Sequence, residues 1–554
     1  MKKHNISLVI LPLVIMVCLG GGIWIGSFLG KGSHKSLARQ KLETVLGLIA
    51  TEYVDTIDID SLLEGSIPDI LSYLDPHSAY IPKEELQAVT EDLDGSFSGV
   101  GVSFQILNDT IVVVEVIPDG PAEKAGIKAG DRIVKVDGKN MASENISNED
   151  VFKSLRGERQ THVRLEVMRP FVSTPLTFDV TRNDVPVTSI DAHYIISPGI
   201  GYVKVGKFSR NTYAEFMSAV EGLKGKGARK LIIDLRGNGG GLMDQAISMA
   251  NEFLPEGRLI VYTRARTETN RFRAESNGGG TLQDVEIAVV TNEYSASASE
   301  IFAGAIQDND RGLVIGRRSF GKGLVQNQIM LPDSSAIRLT VARYYTPSGR
   351  SIQKEYKRGA DGKYDLDLAE RYTHGEFYNI DSIKLDKSNS FKTAAGRTVY
   401  GGGGIMPDIF VPEDTTNFTS YYLDVVNNGL LQKYAFGVAD NYRSILKGVS
   451  QTEKLLQMIP RDAIMLNNFA NYGAANGVPA RWYYINKSAP LILRQIKAFI
   501  ARDILGFNDY IKVLNSQDPT ILRALEALEN GESPVNIKSN TTKQNGEKGD
   551  KKKN

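Results

Sequence analysis

The sequence predicts a multidomain chain, with an α/β core, an all-β domain before it and helical regions at both ends. Three observations predict this. At 554 residues the chain is too long for one hydrophobic core. Between residues 200 and 316, apolar β-branched runs alternate with amphipathic stretches, the order expected of an α/β sheet. Between residues 95 and 168 the apolar runs are shorter and separated by Gly-rich turns, as in a small β domain.

Residues 6–29 are almost wholly apolar and follow Lys2, Lys3 and His4. The run is long enough to span a bilayer. Lysines before it favour a cytoplasmic start, against the pull of Lys31, Lys35 and Arg39 beyond it. No A-x-A cleavage site follows. The expectation is an uncleaved membrane anchor over residues 1–30, with the catalytic part outside the cytoplasm, periplasmic in a Gram-negative cell. Secretion after signal cleavage is the alternative. Val17 is bulkier than a lipid-attachment site at Cys18 usually allows.

Residues 36–92 read as a helical region. Leu42, Val45, Leu46 and Ile49 recur at helical spacing, as do Ile67, Ile70, Leu71 and Leu74, until Asp75-Pro76-His77 breaks the pattern. The next domain is placed at 93–182. It opens on Ser98-Gly99-Val100-Gly101-Val102-Ser103-Phe104 and continues with a β-branched run over 111–116. Gly120-Pro121-Ala122 starts a short helix, and Gly130-Asp131-Arg132-Ile133 starts a strand that ends at Asp137-Gly138. A helix over 149–155 and an alternating strand over 162–168 complete it. This order resembles a PDZ domain in the circularly permuted arrangement common in bacterial proteases. Gly99, Val100, Gly101 and Val102 match that family's carboxylate-binding loop. The resemblance implies that backbone N–H groups there capture a chain terminus while the peptide adds as a strand.

The core is placed at 183–412. Strands are expected at 200–205, 230–235, 285–291 and 313–316, with helices at 212–223, 244–253 and 299–307. Residues 264–282 are polar and Gly-rich and read as an exposed loop. Residues 354–400 are charged and weakly patterned, and read as an insertion. Residues 413–529 read as a separate helical domain. Residues 530–554, ending in three lysines and an asparagine, read as a disordered tail. The helical ends suggest self-association.

Composition narrows the function. Sixty-five basic side chains balance 65 acidic ones, which argues against a general nucleic-acid partner. The single cysteine excludes a disulfide framework and a Cys-rich metal site. Six scattered histidines form no HExxH pattern, so no metal or other cofactor is expected.

The chemistry concentrates in Tyr294-Ser295-Ala296-Ser297-Ala298-Ser299-Glu300 and Phe320-Gly321-Lys322-Gly323. Serine needs a base to become a good nucleophile. No histidine lies between His193 and His374, so the candidate base is the amine of Lys322. Ser297 and Glu300 also form the S-x-x-E signature of a capping box, so Ser297 is equally readable as a helix cap. The same position is near free helix N–H groups that suit an oxyanion. The glycines at 239–241, after a buried strand, are candidates for a second donor. Lys322 must be neutral to act as a base, and burial lowers a lysine pKa. Phe320, Leu324 and Val325 are candidates for its apolar wall. Gln326 shares a face with Lys322 in an extended segment and is placed to orient the amine.

Two decoys are set aside. Gly316-x-x-x-x-Gly321-Lys322-Gly323 lacks the P-loop hydroxyl and its following helix. Asp308-x-Asp310-x-Gly312 is too short for a calcium loop and lacks the distal glutamate.

Over residues 40–412 the chain resembles the carboxyl-terminal processing peptidases, a tail-specific serine protease family. The serine cluster and the Phe320–Gly323 segment with Gln326 carry the likeness. So do Arg343-Tyr-Tyr-Thr-Pro-Ser-Gly-Arg-Ser-Ile-Gln353, Leu74-Asp-Pro-His-Ser78 and Gly404-Ile-Met-Pro-Asp408. The resemblance implies a crotonase-like α/β core, Ser297 as nucleophile, Lys322 as general base and Gln326 as its partner. It implies an oxyanion hole from Ala298 and one of Gly240 or Gly241, and protein substrates taken by their C-termini. The 354–400 insertion and the long C-terminal region depart from the minimal protease. A non-catalytic PDZ adaptor and a hydrolase of small esters or thioesters are the competing classes.

Overall fold

The computed structural model describes residues 37–107, 109–142, 146–170, 172–359, 362–384 and 386–536. The expected anchor at 1–30 and residues 537–554 of the expected tail lie outside the described residues. Among the described residues, no helix is long and apolar enough to cross a membrane.

The chain divides into two units, residues 1–73 and 74–554. In the first, the described residues form helices Leu37–Glu52 and Ile59–Ser72. Asp58 caps the second helix by accepting from Asp60 N–H. The segment expected to be helical up to 92 does not stay helical. Ala79–Ile81 is a strand, and the helix Lys83–Asp94 belongs to the second unit.

The second unit is built on a six-stranded sheet. Its strand order is Ile190–Ser197, Ile200–Val205, Lys230–Asp234, Glu286–Thr291, Leu313–Gly316 and Ile409–Phe410. The first pair is antiparallel and the others are parallel. The central strands are apolar on both faces because both faces are covered. On one side, Val203, Ile233 and Val289 pack against Phe216, Phe253 and Phe302 of helices Thr212–Gly225, Met243–Phe253 and Ala298–Asp308. On the other, Tyr202, Ile232, Val290 and Ile315 pack against Ile521, Ala524 and Leu528 of the helix Pro519–Glu529. The C-terminal helices from Ser420 to Asn515 have a core of their own, but the helix Pro519–Glu529, the last among the described residues, is a layer of the six-stranded sheet. The C-terminal region is thus tied into the core by burial of that helix.

A second sheet places Ala336–Tyr345 between Ala79–Ile81, Leu324–Met330 and Leu259–Ala265. Leu259–Ala265 pairs in turn with Arg273–Glu275. The stretch expected as an exposed loop therefore contains a paired strand, and Ala274, Ser276 and Leu282 are buried. The described residues of 354–400 include the helix Lys363–Thr373 and a hairpin of Ser390–Lys392 with Thr398–Tyr400. Its Arg371 is buried and donates to the carbonyls of Arg318 and Ser319.

The β domain has the strand order Val102–Leu107, Thr110–Val116, Arg132–Val136, His162–Met168 and Leu176–Thr181. Val113, Ile133, Leu165 and Val167 form its core with Val151 and Leu155 of the helix Asn148–Leu155. Among the described residues Val102–Leu107 is an edge strand, with one row of backbone groups open to a further strand.

Candidate active site

The strand Glu286–Thr291 ends in a turn that delivers the serine cluster to the start of the helix Ala298–Asp308. The three serines part company there. Ser295 is buried and donates to the Leu235 carbonyl at 2.8 Å. Ser299 is buried and donates to the Asn238 carbonyl at 2.9 Å. Ser297 alone is half-exposed, and its backbone is strained at φ 56°, ψ −114°. A non-glycine residue in that conformation costs about 1–3 kcal/mol and is held only by its surroundings.

Glu300 supplies that hold. Its carboxylate is fully buried. One oxygen accepts from Ser319 Oγ at 2.5 Å and Gly321 N–H at 2.8 Å. The other accepts from the amides of Ser297 and Lys322, both at 2.9 Å. A single carboxylate oxygen thus joins the two candidate catalytic segments, whose amide nitrogens lie no further apart than twice 2.9 Å. The buried Tyr344 hydroxyl repeats the link, reaching the Lys322 carbonyl at 2.6 Å and the Ser297 carbonyl at 3.1 Å. Burial pushes the Glu300 carboxyl up to about 7, with its four donors pulling the other way. Ser297 and Glu300 do share the cap contact expected from S-x-x-E, but Glu300 reaches far beyond it.

Two motifs wall the Lys322 loop. Gln353 Oε1 accepts from Gly323 N–H at 2.7 Å. Ile405 N–H donates to Ser319 Oγ at 2.6 Å. Phe320 turns toward Lys354, whose Nζ lies 4.0 Å from the Phe320 ring centre. Leu324 is buried, and Val325 packs on the main core. Burial lowers the pKa of the half-buried Lys322 amine, and the Arg338 guanidinium lowers it further. The Glu300 and Asp75 carboxylates act in the opposite direction.

Gln326 lies four residues on, in the strand Leu324–Met330. Its side-chain amide donates to Thr340 Oγ1 at 3.3 Å. Thr340 in turn contacts Asp75 and Ser78 of the Asp75-Pro76-His77-Ser78 segment. In the sequence that segment carries a family motif with no chemistry attached, and its His77 is remote from Lys322. The structure brings His77 within electrostatic range of Lys322. Its Nε2 shares a 2.7 Å hydrogen bond with the Tyr364 hydroxyl. Burial pushes His77 down to about 4, with the Lys322 charge adding to it, so the ring is neutral at pH 7.

The glycine turn after the strand Lys230–Asp234 packs directly on Ser297. A Cβ on Gly240 would meet Ser297 Cβ at 2.7 Å, the Ala296 carbonyl at 2.8 Å and Ala298 N at 3.0 Å. The Gly240 amide already donates to Asn238 Oδ1 at 2.8 Å, whereas Gly241 is exposed at the same turn. Ala298 sits at the first position of its helix, where N–H groups have no intrahelical partner. With φ at +105°, Gly240 admits no side chain cheaply. Gly240→Ala is expected to cost about 1–3 kcal/mol of stability and to cut hydrolysis at least about tenfold. Urea midpoints and single-turnover rates check both.

Gly99, Val100, Gly101 and Val102 form the loop that leads into the β domain's first strand. Gly99 ends a strand paired with Asn183–Pro186. The carbonyls of Val100 and Gly101 accept from Ala122 and Ile117 at 2.7 and 3.0 Å. The loop leads into the edge strand Val102–Leu107, which faces the helix Asn148–Leu155 through an edge-on Phe104–Phe152 contact with ring centres 5.4 Å apart. Among the described residues, no group of three or more His, Cys, Asp or Glu side chains could hold a metal ion.

Comparison with known proteins agrees with this architecture. Residues 199–361 match peptidase family S41, and residues 112–169 match the PDZ domain. Residues 421–506 match a family of unknown function. The carboxy-terminal-processing protease of Bartonella bacilliformis is 38% identical over 58% of this chain and 74% of its own. A probable CtpA-like serine protease of Staphylococcus aureus is 34% identical over 64% of this chain and 70% of its own. The carboxy-terminal processing protease CtpB of Bacillus subtilis is 32% identical over 64% of this chain and 74% of its own. On that likeness and that domain order, the chain belongs to the carboxy-terminal processing proteases of peptidase family S41, with a PDZ domain.

Proposed function

We propose that the chain is a Ser-Lys endopeptidase acting outside the cytoplasm, with Ser297 as nucleophile and Lys322 as general base. The observation that carries this reading is the Glu300 carboxylate, which fastens the Ser297 turn and the Lys322 loop to one buried point. Neutral Lys322 takes the Ser297 proton as Oγ attacks a peptide carbonyl. The amide of Ala298 and one from the Gly240–Gly241 turn donate to the oxyanion. Lys322 then protonates the leaving amine, which leaves an acyl-enzyme. Water, deprotonated by the same amine, attacks the acyl carbonyl, and the bond to Ser297 Oγ breaks with return of the proton. Gln326 orients the lysine. The strained backbone at Ser297 and its half-exposure, beside two engaged and buried serines, support the choice of nucleophile.

The PDZ domain, within residues 93–182, would take a substrate's C-terminal carboxylate at Gly99–Val102. The tail would then extend along the open edge of Val102–Leu107. The protease core, within 183–412, would be crotonase-like, and residues 1–30 would anchor the enzyme to a membrane.

A polypeptide with an apolar, free C-terminus, compared with the same chain carrying a C-terminal amide, tests the reading. Wild type is expected to cleave the first at least about tenfold faster, the worth of a charge-assisted contact. Ser297→Ala is expected to cleave neither. Equal cleavage of both would remove tail recognition. Ester turnover without proteolysis, or an active Ser297→Ala enzyme, would remove the peptidase mechanism.

A further inference from the structure

The hydrogen bonds around Thr340 have only one consistent polarity. Asp75 Oδ1 accepts from the backbone amides of His77 at 2.9 Å and Ser78 at 3.0 Å. An oxygen that accepts two amide protons is not the one that carries a carboxyl proton. The 2.9 Å contact between Thr340 Oγ1 and Asp75 Oδ1 must therefore be donated by the threonine. A hydroxyl has one proton, so Thr340 Oγ1 is left only to accept. The side-chain amide of Gln326, 3.3 Å away, must then present its NH2 to Thr340. Its carbonyl oxygen is left free to accept a proton from elsewhere.

The backbone is shaped to make this meeting. Val325 pairs with Ala342, but Gln326 pairs with Thr340, so Val341 is an extra residue in a β-bulge. Bulges re-aim side chains beside active sites. Without this one, Val341 would stand opposite Gln326. Asp75 is itself fixed. It is buried, its second oxygen accepts from Ser78 Oγ at 2.6 Å, and Ser78 Oγ accepts from Thr340 N–H at 3.1 Å. The Asp75 carboxylate also lies within electrostatic range of the Lys322 amine.

We propose that Asp75 and Thr340 form a polarity relay that fixes which end of the Gln326 amide faces Lys322. This inference rests on the Ser297–Lys322–Gln326 reading and adds two positioning residues to it. With the carbonyl oxygen facing the amine, Gln326 accepts an N–H of Lys322 and leaves the nitrogen lone pair for the serine proton. With the amide reversed, its NH2 would donate to that lone pair and compete with catalysis. The chain of residues is aspartate to threonine to glutamine to lysine, and no proton moves along it.

Thr340→Val removes the hydroxyl while keeping a β-branched strand residue. Asp75 keeps its three remaining donors, so the fold is expected to survive. The kcat for peptide hydrolysis should fall about tenfold, the worth of one hydrogen bond, with KM unchanged. Thr340→Ser should restore it. In a Gln326→Ala background, Thr340→Val should have no further effect. Wild-type kcat in the valine variant would overturn the relay. So would failure of serine to rescue, or full additivity with Gln326→Ala. If the added methyl unfolds the valine variant, Thr340→Ala carries the same comparison. An active Ser297→Ala enzyme would instead overturn the underlying assignment, so the two failures are distinct.

Discussion

Lys322→Met is expected to abolish peptide hydrolysis, by on the order of 10⁴-fold, the usual loss when one member of a nucleophile–base set is removed. The substitution keeps an unbranched chain of similar length in the half-buried site and removes only the amine. Because burial and Arg338 both disfavour the charged lysine, the folded protein gains nothing from that charge. The sign follows. A lysine whose pKa falls on folding destabilises the fold below its folded pKa, and the cost fades as pH rises past it. The methionine variant should therefore be at least as stable as wild type at neutral pH. A thermal melt beside a rate assay separates lost chemistry from lost structure. In the wild type, kcat/KM should rise with pH as the amine loses its proton, through a midpoint below 10.5. The methionine variant should show no such limb.

Glu300→Ala is expected to cost about 4 kcal/mol of stability or more, and to remove activity with it. The substitution orphans four donors at once: the Ser319 hydroxyl and the amides of Ser297, Gly321 and Lys322. Each buried unpaired donor costs about 1–3 kcal/mol. The strained Ser297 turn loses its partner across the site, so the serine and the lysine are no longer held in register. Glu300→Gln keeps the shape but turns an NH2 toward the two donors that one of the oxygens served, and should fall between wild type and the alanine variant.

Glu300 also sets a pH signature. Its pKa is raised on folding from 4.5 to about 7. The fold thus prefers the protonated form, and this group's stability contribution is full below 4.5 and lost as pH rises through 7. Urea midpoints across that window should decline in wild type and stay flatter in Glu300→Gln.

Much of the site is legible in the sequence because its parts are local. β-Branched runs ending in glycine or serine turns place Gly239–Gly241 and the serine cluster at strand ends. S-x-x-E marks the helix start. The same spacing conceals the larger role of Glu300. Its contacts to residues 319–322 arise because two strand-end turns converge, and no local pattern records that. His77 and Asp75 reach the site across more than 200 residues of chain, through pairing of Ala79–Ile81 with Ala336–Ile337–Arg338. The bulge at Val341 is likewise silent, since a β-branched residue reads as ordinary strand. The strand Arg273–Glu275 was hidden because only Ala274 faces inward between two charged residues. Within 354–400, Arg371 of the helix Lys363–Thr373 forms a buried ion pair with Glu376, which composition alone reads as solvent-exposed charge.

The proposed mechanism requires an acyl-enzyme on Ser297. Acid-quenching the enzyme during turnover of an activated peptide ester, then mapping the mass of its fragments, tests it most directly. An acyl adduct is expected on Ser297, absent in Ser297→Ala and in Lys322→Met. An adduct on Ser295 or Ser299, or burst-phase turnover with Ser297 unmodified, would contradict it.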